Sequence, residues 1–185
     1  MAAVPPVCEF DWPAPSFSLP DVVSGAQVTL SDVQGEHGTL VMFICNHCPY
    51  VLGVLDRILR EATALQAMGI GVVAISSNDV DSHPQDGPEH MKALAQEHGF
   101  SFPYLYDATQ EVARAYDAVC TPDFFGFNAA GGLQYRGRLD ANRGTARDPQ
   151  ARRDLYDAMT QIAQTGQGPR DQTPSMGCSI KWKAS

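Results

Sequence analysis

Apolar positions follow two different periods that alternate along the chain. TLVMFI, residues 39–44, and GIGVVAIS, residues 69–76, are apolar at nearly every position and bounded by glycine or polar residues. That is the pattern of strands buried on both faces of a sheet. Between them Val51, Leu55, Ile58, Ala62 and Leu65 recur every three or four residues, which predicts one face of a helix running from Pro49 to near Gly69. A second helix opens at Pro88, a residue favoured at the first helical position, and carries Met91, Leu94 and Ala95 to Gly99. Strand, helix, strand, helix in succession implies parallel strands joined by right-handed crossovers.

Shorter signals flank this unit. SFSLPD and QVTLSDV read as two short strands about the turn-prone VVSGA. FPYLYD is a further apolar piece, followed by a helix near Thr109 to Tyr116. DFFGFN and LQYRGRL across Ala-Ala-Gly-Gly predict an antiparallel hairpin. A last helix, Pro149 to Thr165, would bury Leu155, Ala158, Met159 and Ile162 before a Gly/Pro linker leads to PSMGCSIKWK. This order predicts a thioredoxin-like three-layer α/β sandwich, with a mixed central sheet and an N-terminal β-hairpin extension. One domain is expected over residues 1–185, with a surface arm at 1–16 and a tail at 166–185.

Composition narrows the chemistry. Thirteen Lys and Arg against twenty-one Asp and Glu give a net charge of -8, which repels phosphate backbones and anionic lipid. No nucleic-acid or membrane partner is expected. The N-terminal residues lack a basic start followed by an apolar run, and no stretch approaches the roughly 20 apolar residues that span a bilayer. A soluble, cytoplasmic protein is the expectation, with its oligomeric state open. Five cysteines, an odd count in a chain too large to need stapling, point to redox chemistry rather than a structural disulfide framework.

FICNHCPYV, residues 43–51, holds the densest chemistry. If Pro49 is the first helical residue, Cys48 is the N-cap and its sulfur meets the free N–H groups of the first turn. Such sites lower a thiol from about 8.5 to roughly 3.5–7.5. Cys45 stands one step back, close enough in C-x-x-C to close a redox disulfide, and His47 adds positive charge when protonated. A buried cysteine can also be an inert small hydrophobe; the C-x-x-C at a strand-to-helix junction favours redox chemistry. Cys120 precedes Thr121-Pro122 and either adjoins the site or fills space beneath it. X-Pro bonds are cis in only about 5–6% of folded cases, but a proline entering a strand from a tight loop is where they occur. Cys178, in a Gly/Ser-flanked tail, is expected to be a flexible thiol able to reach a distant partner, and Cys8 to be incidental. Asn78 follows the second central strand and is expected to approach Cys48. ISSNDVDSHPQDGPEH reads as a loop over the site: its carboxylates lack calcium-loop spacing, and His83, His90 and His98 read as surface residues. Trp12 and Trp182 are expected to anchor the two arms.

Taken together, APSFSLPDV, TLSDVQG, MFICNHCPYV, AISSNDVDSHPQDGPEHM, VCTPDFFGFN, YRGRLD and PSMGCSIKWK resemble the peroxiredoxin-like branch of the thioredoxin superfamily. That branch is related to the alkyl hydroperoxide reductase and thiol-specific antioxidant group, and NHCPYV is the mark of one bacterial subgroup. The resemblance implies a cis Pro122, a redox-active Cys48 with Asn46, His47 and Pro49 in its motif, and Cys178 as a candidate resolving thiol. The chain departs from the peroxiredoxin pattern P-x-x-x-T/S-x-x-C, having Val41 for the proline and Cys45 for the hydroxyl residue. Arg143 is the candidate for the arginine that peroxiredoxins hold beside the thiolate.

Three functions are consistent with these residues. The first is a thiol-disulfide oxidoreductase: Cys48 forms a mixed disulfide that Cys45 or Cys178 resolves, Thr121 and Pro122 present backbone to an extended partner, and an external thiol is the reductant. The second is a weak peroxidase that passes through a Cys48 sulfenic acid with a small peroxide as substrate. The third is a copper- or zinc-binding module built from Cys45, His47, Cys48 and Cys120. The C-N-H-C spacing is cramped for that role and no second C-x-x-C completes a tetrahedral set, so no metal and no cofactor is expected.

Overall fold

A strand apolar on both faces needs cover on both, and the computed structural model, which describes residues 1–142 and 146–184, supplies it. In chain order the elements are β1 (Ala2–Ala3), β2 (Ser18–Pro20), β3 (Gln27–Thr29), α1 (Leu30–Val33), β4 (Gly38–Phe43), α2 (Pro49–Leu52), α3 (Leu55–Gln66) and β5 (Ile70–Ser76). A 3-10 turn at Pro84–Asp86 precedes α4 (Pro88–His98), β6 (Tyr104–Tyr106), α5 (Glu111–Ala115), β7 (Cys120–Thr121), β8 (Asp123–Phe127), β9 (Leu133–Arg136), α6 (Asp154–Thr165) and β10 (Gly177–Ser179). The main sheet runs β6-β5-β4-β8-β9. Its β4, β5 and β6 are parallel, and β8 and β9 are antiparallel. The fold is thioredoxin-like α/β, with two small sheets added: β2-β3, and β1-β10-β7.

Period-two alternation splits the core in two. Leu40, Met42 and Ile44 face one way with Val72 and Ala74, beneath α3, α4 and α6. Val41, Phe43, Val73 and Ile75 face the other way with Phe125, Tyr116 and the hairpin residues Phe17 and Leu19. Tyr116 gathers Phe43, Phe125 and Trp12 at centroid distances of 5.5, 5.5 and 6.2 Å. Burial of such rings contributes roughly 1.5–3 kcal/mol each, so this second core holds the N-terminal extension in place. α4 ends at Gly99 in the left-handed region, φ 63°, as a helix stop requires.

Several boundaries differ from the sequence pattern for local reasons. QVTLSDV does not continue as a strand: Thr29 and Asp32 form a capping box that starts α1. The expected helix from Pro49 is broken at Gly53 and Val54, so α2 is a single turn and Leu55 opens α3. The last helix begins at Asp154 rather than Pro149, where the Leu155 N–H donates to Leu139 O instead of to a preceding turn. The arm at 1–16 is tied in: Asp11 N donates to Leu133 O, Leu133 N to Trp12 O and Ala14 N to Gly131 O, at 2.9, 2.8 and 2.9 Å. The tail is no flexible thread either, since Gly177–Ser179 is a strand paired on both edges. Trp182 lies under the Arg114 guanidinium, 4.5 Å from the ring centroid. Among the described residues no helix is long and apolar enough to cross a membrane.

Candidate active site

Pro49 is the first residue of α2 and Cys48 its N-cap, with extended backbone at φ -69°, ψ 120°. The Cys48 carbonyl accepts from the Val51 and Leu52 N–H groups, both at 2.9 Å. The side chain departs from expectation: its sulfur makes no hydrogen bond to the free N–H groups of this one-turn helix. It turns instead toward the loop before β8 and lies 3.2 Å from Thr121 O, to which it donates only when Cys48 is protonated. Cys45 Sγ lies 3.3 Å from the Thr121 hydroxyl, and both sulfurs have no exposed surface. The Thr121–Pro122 bond is cis.

The neighbours of Cys48 favour its thiolate. Its pKa is lowered to about 4, first because the Cys45 thiol donates to it. Burial opposes this, and the Cys178 thiol, the Thr121 side chain and the Cys178 backbone add to it. Cys45 is pushed far up in return, by its bond to Cys48, by burial and by the charge of Asp86. One proton is thus shared unequally across the pair, with the negative charge on Cys48.

Cys178 reaches the same place by strand register. It sits opposite Thr121 in the β10–β7 ladder, partly exposed, and burial and the Cys48 sulfur raise its pKa. The expected free-swinging thiol is therefore already docked. Cys120, opposite Ser179, is fully buried with its sulfur 3.6 Å from Pro122 O. It fills space under the loop, and burial, followed by the Asp123 charge, pushes its pKa up to about 12. Thr121 and Pro122 do not present an open edge to a partner, because β10 covers it. Cys8, half-buried and pushed up to about 11 by desolvation, packs against the second core.

The CNHC turn is held from behind by a residue that the sequence pattern did not single out. Asp86, with no exposed surface, accepts from Asn46 N and His47 N at 2.9 and 3.2 Å, and from Asn78 Nδ2 at 2.9 Å. His47 Nδ1 approaches its other oxygen to 2.5 Å. This is a close polar contact rather than an aligned hydrogen bond, for Nδ1 has no partner in hydrogen-bond geometry. Asn78 therefore acts on Asp86 and, through its Oδ1, on Lys181 N at 2.9 Å, not on Cys48. The Asn46 side chain donates to Gln85 O and accepts from the Tyr104 hydroxyl, at 3.0 and 2.9 Å. His83 is no isolated surface residue: it stacks on His47 with centroids 5.1 Å apart. Local spacing carried no sign of Asp86; the one available clue was its place in a loop following a central strand.

Cys45, His47 and Asp86 offer three ligand atoms within 4.8 Å of one another, a different set from the cysteine-rich one the sequence brought forward. The Asp86 oxygens are already engaged by two backbone N–H groups, an amide and the imidazole, which fits a brace better than a metal ligand. Arg143 lies outside the described residues. Beside Pro49 and Pro122 opens a cavity of about 670 Å³, walled also by Tyr50, Phe124, Arg57 and Met176. Arg57 there is paired with Asp140 at 2.6 Å.

Comparison with known proteins adds the following. The AhpC/TSA family profile matches residues 11–137. An uncharacterized conserved protein from Geobacillus kaustophilus is 44% identical, over 100% of this chain and 98% of that one, with a TM-score of 0.94. A hypothetical protein from Sinorhizobium meliloti 1021 is 35% identical, over 97% and 100% of the two chains, with a TM-score of 0.90. The thioredoxin domain of a thiol-disulfide oxidoreductase from Bacteroides vulgatus shares the fold at 19% identity, a TM-score of 0.63 and coverage of 84% and 98%. No curated protein matches the chain.

Proposed function

The chain belongs to the AhpC/TSA family, and on that premise we propose that it is a thiol-disulfide oxidoreductase with Cys48 as nucleophile. One observation carries the reading: two further thiols, Cys45 and Cys178, converge on a Cys48 sulfur whose pKa is lowered to about 4, and both are themselves raised. A thiolate is the attacking species in disulfide exchange, and protonated neighbours keep it from repelling a second anion. Cys48 attacks one sulfur of a substrate disulfide. The S–S bond breaks, one thiolate leaves and is protonated by water, and a mixed disulfide remains on Cys48. Cys45 then gives up its proton and attacks the Cys48 sulfur, closing a Cys45–Cys48 disulfide and expelling the second substrate thiolate. The substrate gains two electrons and the protein loses two; an external dithiol reverses the protein's change. His47 and Asp86 hold the turn on which both sulfurs stand.

The peroxidase reading has one observation in its favour. The hydroxyl missing at position 45 has a near equivalent in Thr121, 3.3 Å from Cys45 and also acting on Cys48. The two readings separate in one experiment on the reduced protein, with disulfide reduction and hydrogen peroxide consumption followed in parallel. Cys48→Ser is expected to abolish disulfide reduction and Cys8→Ser to leave it within about twofold. Reductase turnover surviving in Cys48→Ser would sink the assignment. A peroxide rate well above that of a free thiol would move it to the second reading.

A further inference from the structure

We infer that β10 is a built-in occupant of the strand position a polypeptide substrate would need, so that the site accepts small disulfides of low net charge and excludes extended protein ones. The inference rests on the thiol-disulfide reading above and names its substrate class. Thr121 O lies 3.2 Å from Cys48 Sγ, so β7 is the backbone edge an extended chain must pair with to bring a disulfide onto that sulfur. The edge is taken: Thr121 pairs with Cys178 and Cys120 with Ser179. β10 is in turn clamped on its far side by β1, with Ala2 opposite Cys178 and Ala3 opposite Gly177. Both ends of the strand are fastened as well. Ser175 Oγ donates to Pro122 O at 3.2 Å, and Lys181 N donates to Asn78 Oδ1 at 2.9 Å.

Gly177 is what lets the strand seat there. A Cβ at this position would stand 2.0 Å from Thr121 O and 2.5 Å from Thr121 C, inside any tolerable contact with backbone that cannot swing away. Under this cover Cys45 and Cys48 are fully buried, whereas Cys178 is partly exposed. A polypeptide would have to strip β10 from two edges and lift the buried Ile180. A small disulfide has no backbone that needs a strand position, so β10 need not be stripped from either edge to admit it. The cavity flanking Pro49 and Pro122, about 670 Å³, is of the size that small ligands occupy, roughly 300–1,000 Å³. Its wall is largely apolar, and its two arginines, Arg57 and Arg138, are paired with Asp140 and Asp154 at 2.6 and 2.7 Å, which suits a compact body without strong net charge.

The test is single turnover of the fully reduced protein, freed of reductant, against bis(2-hydroxyethyl) disulfide and against insulin, with release of free thiol as the readout. The native chain is expected to reduce the small disulfide roughly tenfold or more faster than insulin. Gly177→Val, which forces β10 off the Thr121 edge without altering a cysteine, is expected to raise the insulin rate by roughly tenfold. Deletion of residues 1–3, a milder change that removes only the β1 clamp, is expected to move it in the same direction. Insulin reduced as fast as the small disulfide by the native chain overturns the inference, with no variant needed. So does an unchanged insulin rate in folded variants. Reduction of neither disulfide by the native chain overturns the oxidoreductase reading itself, and the inference with it.

Discussion

Two protons distributed over three sulfurs, on Cys45 and Cys178 with the negative charge on Cys48, govern this site at the scale of the residue. Cys48 has its pKa lowered to about 4 chiefly because Cys45 donates to it, and in spite of burial. The sign is direct: Cys48 is a thiolate above about pH 4 and loses that charge as pH falls through it. Ultraviolet titration of the thiolate band should therefore show a step near pH 4 that is missing in Cys48→Ser. Cys45→Ala removes the first donor and should move the step upward by roughly one to two units, a hydrogen bond to a charged group being worth about 1.5–3 kcal/mol against 1.36 kcal/mol per unit. An unmoved step would mean that Cys178 and Thr121, not Cys45, hold the charge. Where a peroxiredoxin pattern has a hydroxyl, this chain has the Cys45 thiol, the first of the groups that favour the Cys48 thiolate.

At the scale of elements, the turn between β4 and α2 is held by a side chain from a different connection. Asp86, itself fully buried, receives the N–H groups of the partly buried Asn46 and His47, together with the buried Asn78 Nδ2. Asp86→Ala leaves those donors without this partner, at up to about 1–3 kcal/mol for each that water does not reach, so urea unfolding should show a loss of roughly 1–3 kcal/mol or more. Asp86→Asn retains an acceptor oxygen and should lose less; equal losses would mean that charge, not hydrogen bonding, is what counts. Here also lies the boundary of what the sequence makes legible. The central strands and the CNHC turn are written in contiguous residues: an apolar run, a C-x-x-C and a proline at the helix start. Asp86 bracing Asn46, and Cys178 opposite Thr121, are pairings across 40 and 57 positions by residue number. They follow from how loops and strands are brought together, which no local period encodes. Gly177 reads in sequence as part of a flexible flank, yet its lack of a Cβ is what allows β10 to pack on Thr121. The break at Gly53 and the capping box at Thr29 were written locally, but were masked by apolar spacings that continue across them.

At the scale of the whole molecule, the thiols make the fold sensitive to alkali. Cys45 is raised far beyond an ordinary thiol, Cys120 to about 12 and Cys8 to about 11, with burial among the causes for each. An unfolded chain loses these protons near pH 9 while the folded one keeps them. Above that point the unfolded state binds fewer protons, and stability falls as pH rises. The contribution is fully present below about pH 9 and is lost progressively as the pH climbs through the folded values. Cys48 acts in the opposite sense, adding stability as pH rises from about 4 to the unfolded thiol value and nothing further beyond it, so it cannot offset the alkaline loss. Each fully buried thiol contributes a slope of up to about 1.4 kcal/mol per pH unit. Urea unfolding at pH 8 and pH 10 should therefore show a marked drop for the native chain. Cys120→Ala removes one such proton. Whatever its absolute stability, its decline between the two pH values should be shallower by roughly 1 kcal/mol, and a parallel decline would show that Cys120 ionises in the folded state as readily as in the unfolded one. The buried pair and the covering strand belong to one argument: the same exclusion of water that shelters Cys48 from bulky partners makes the neighbouring thiols hard to ionise.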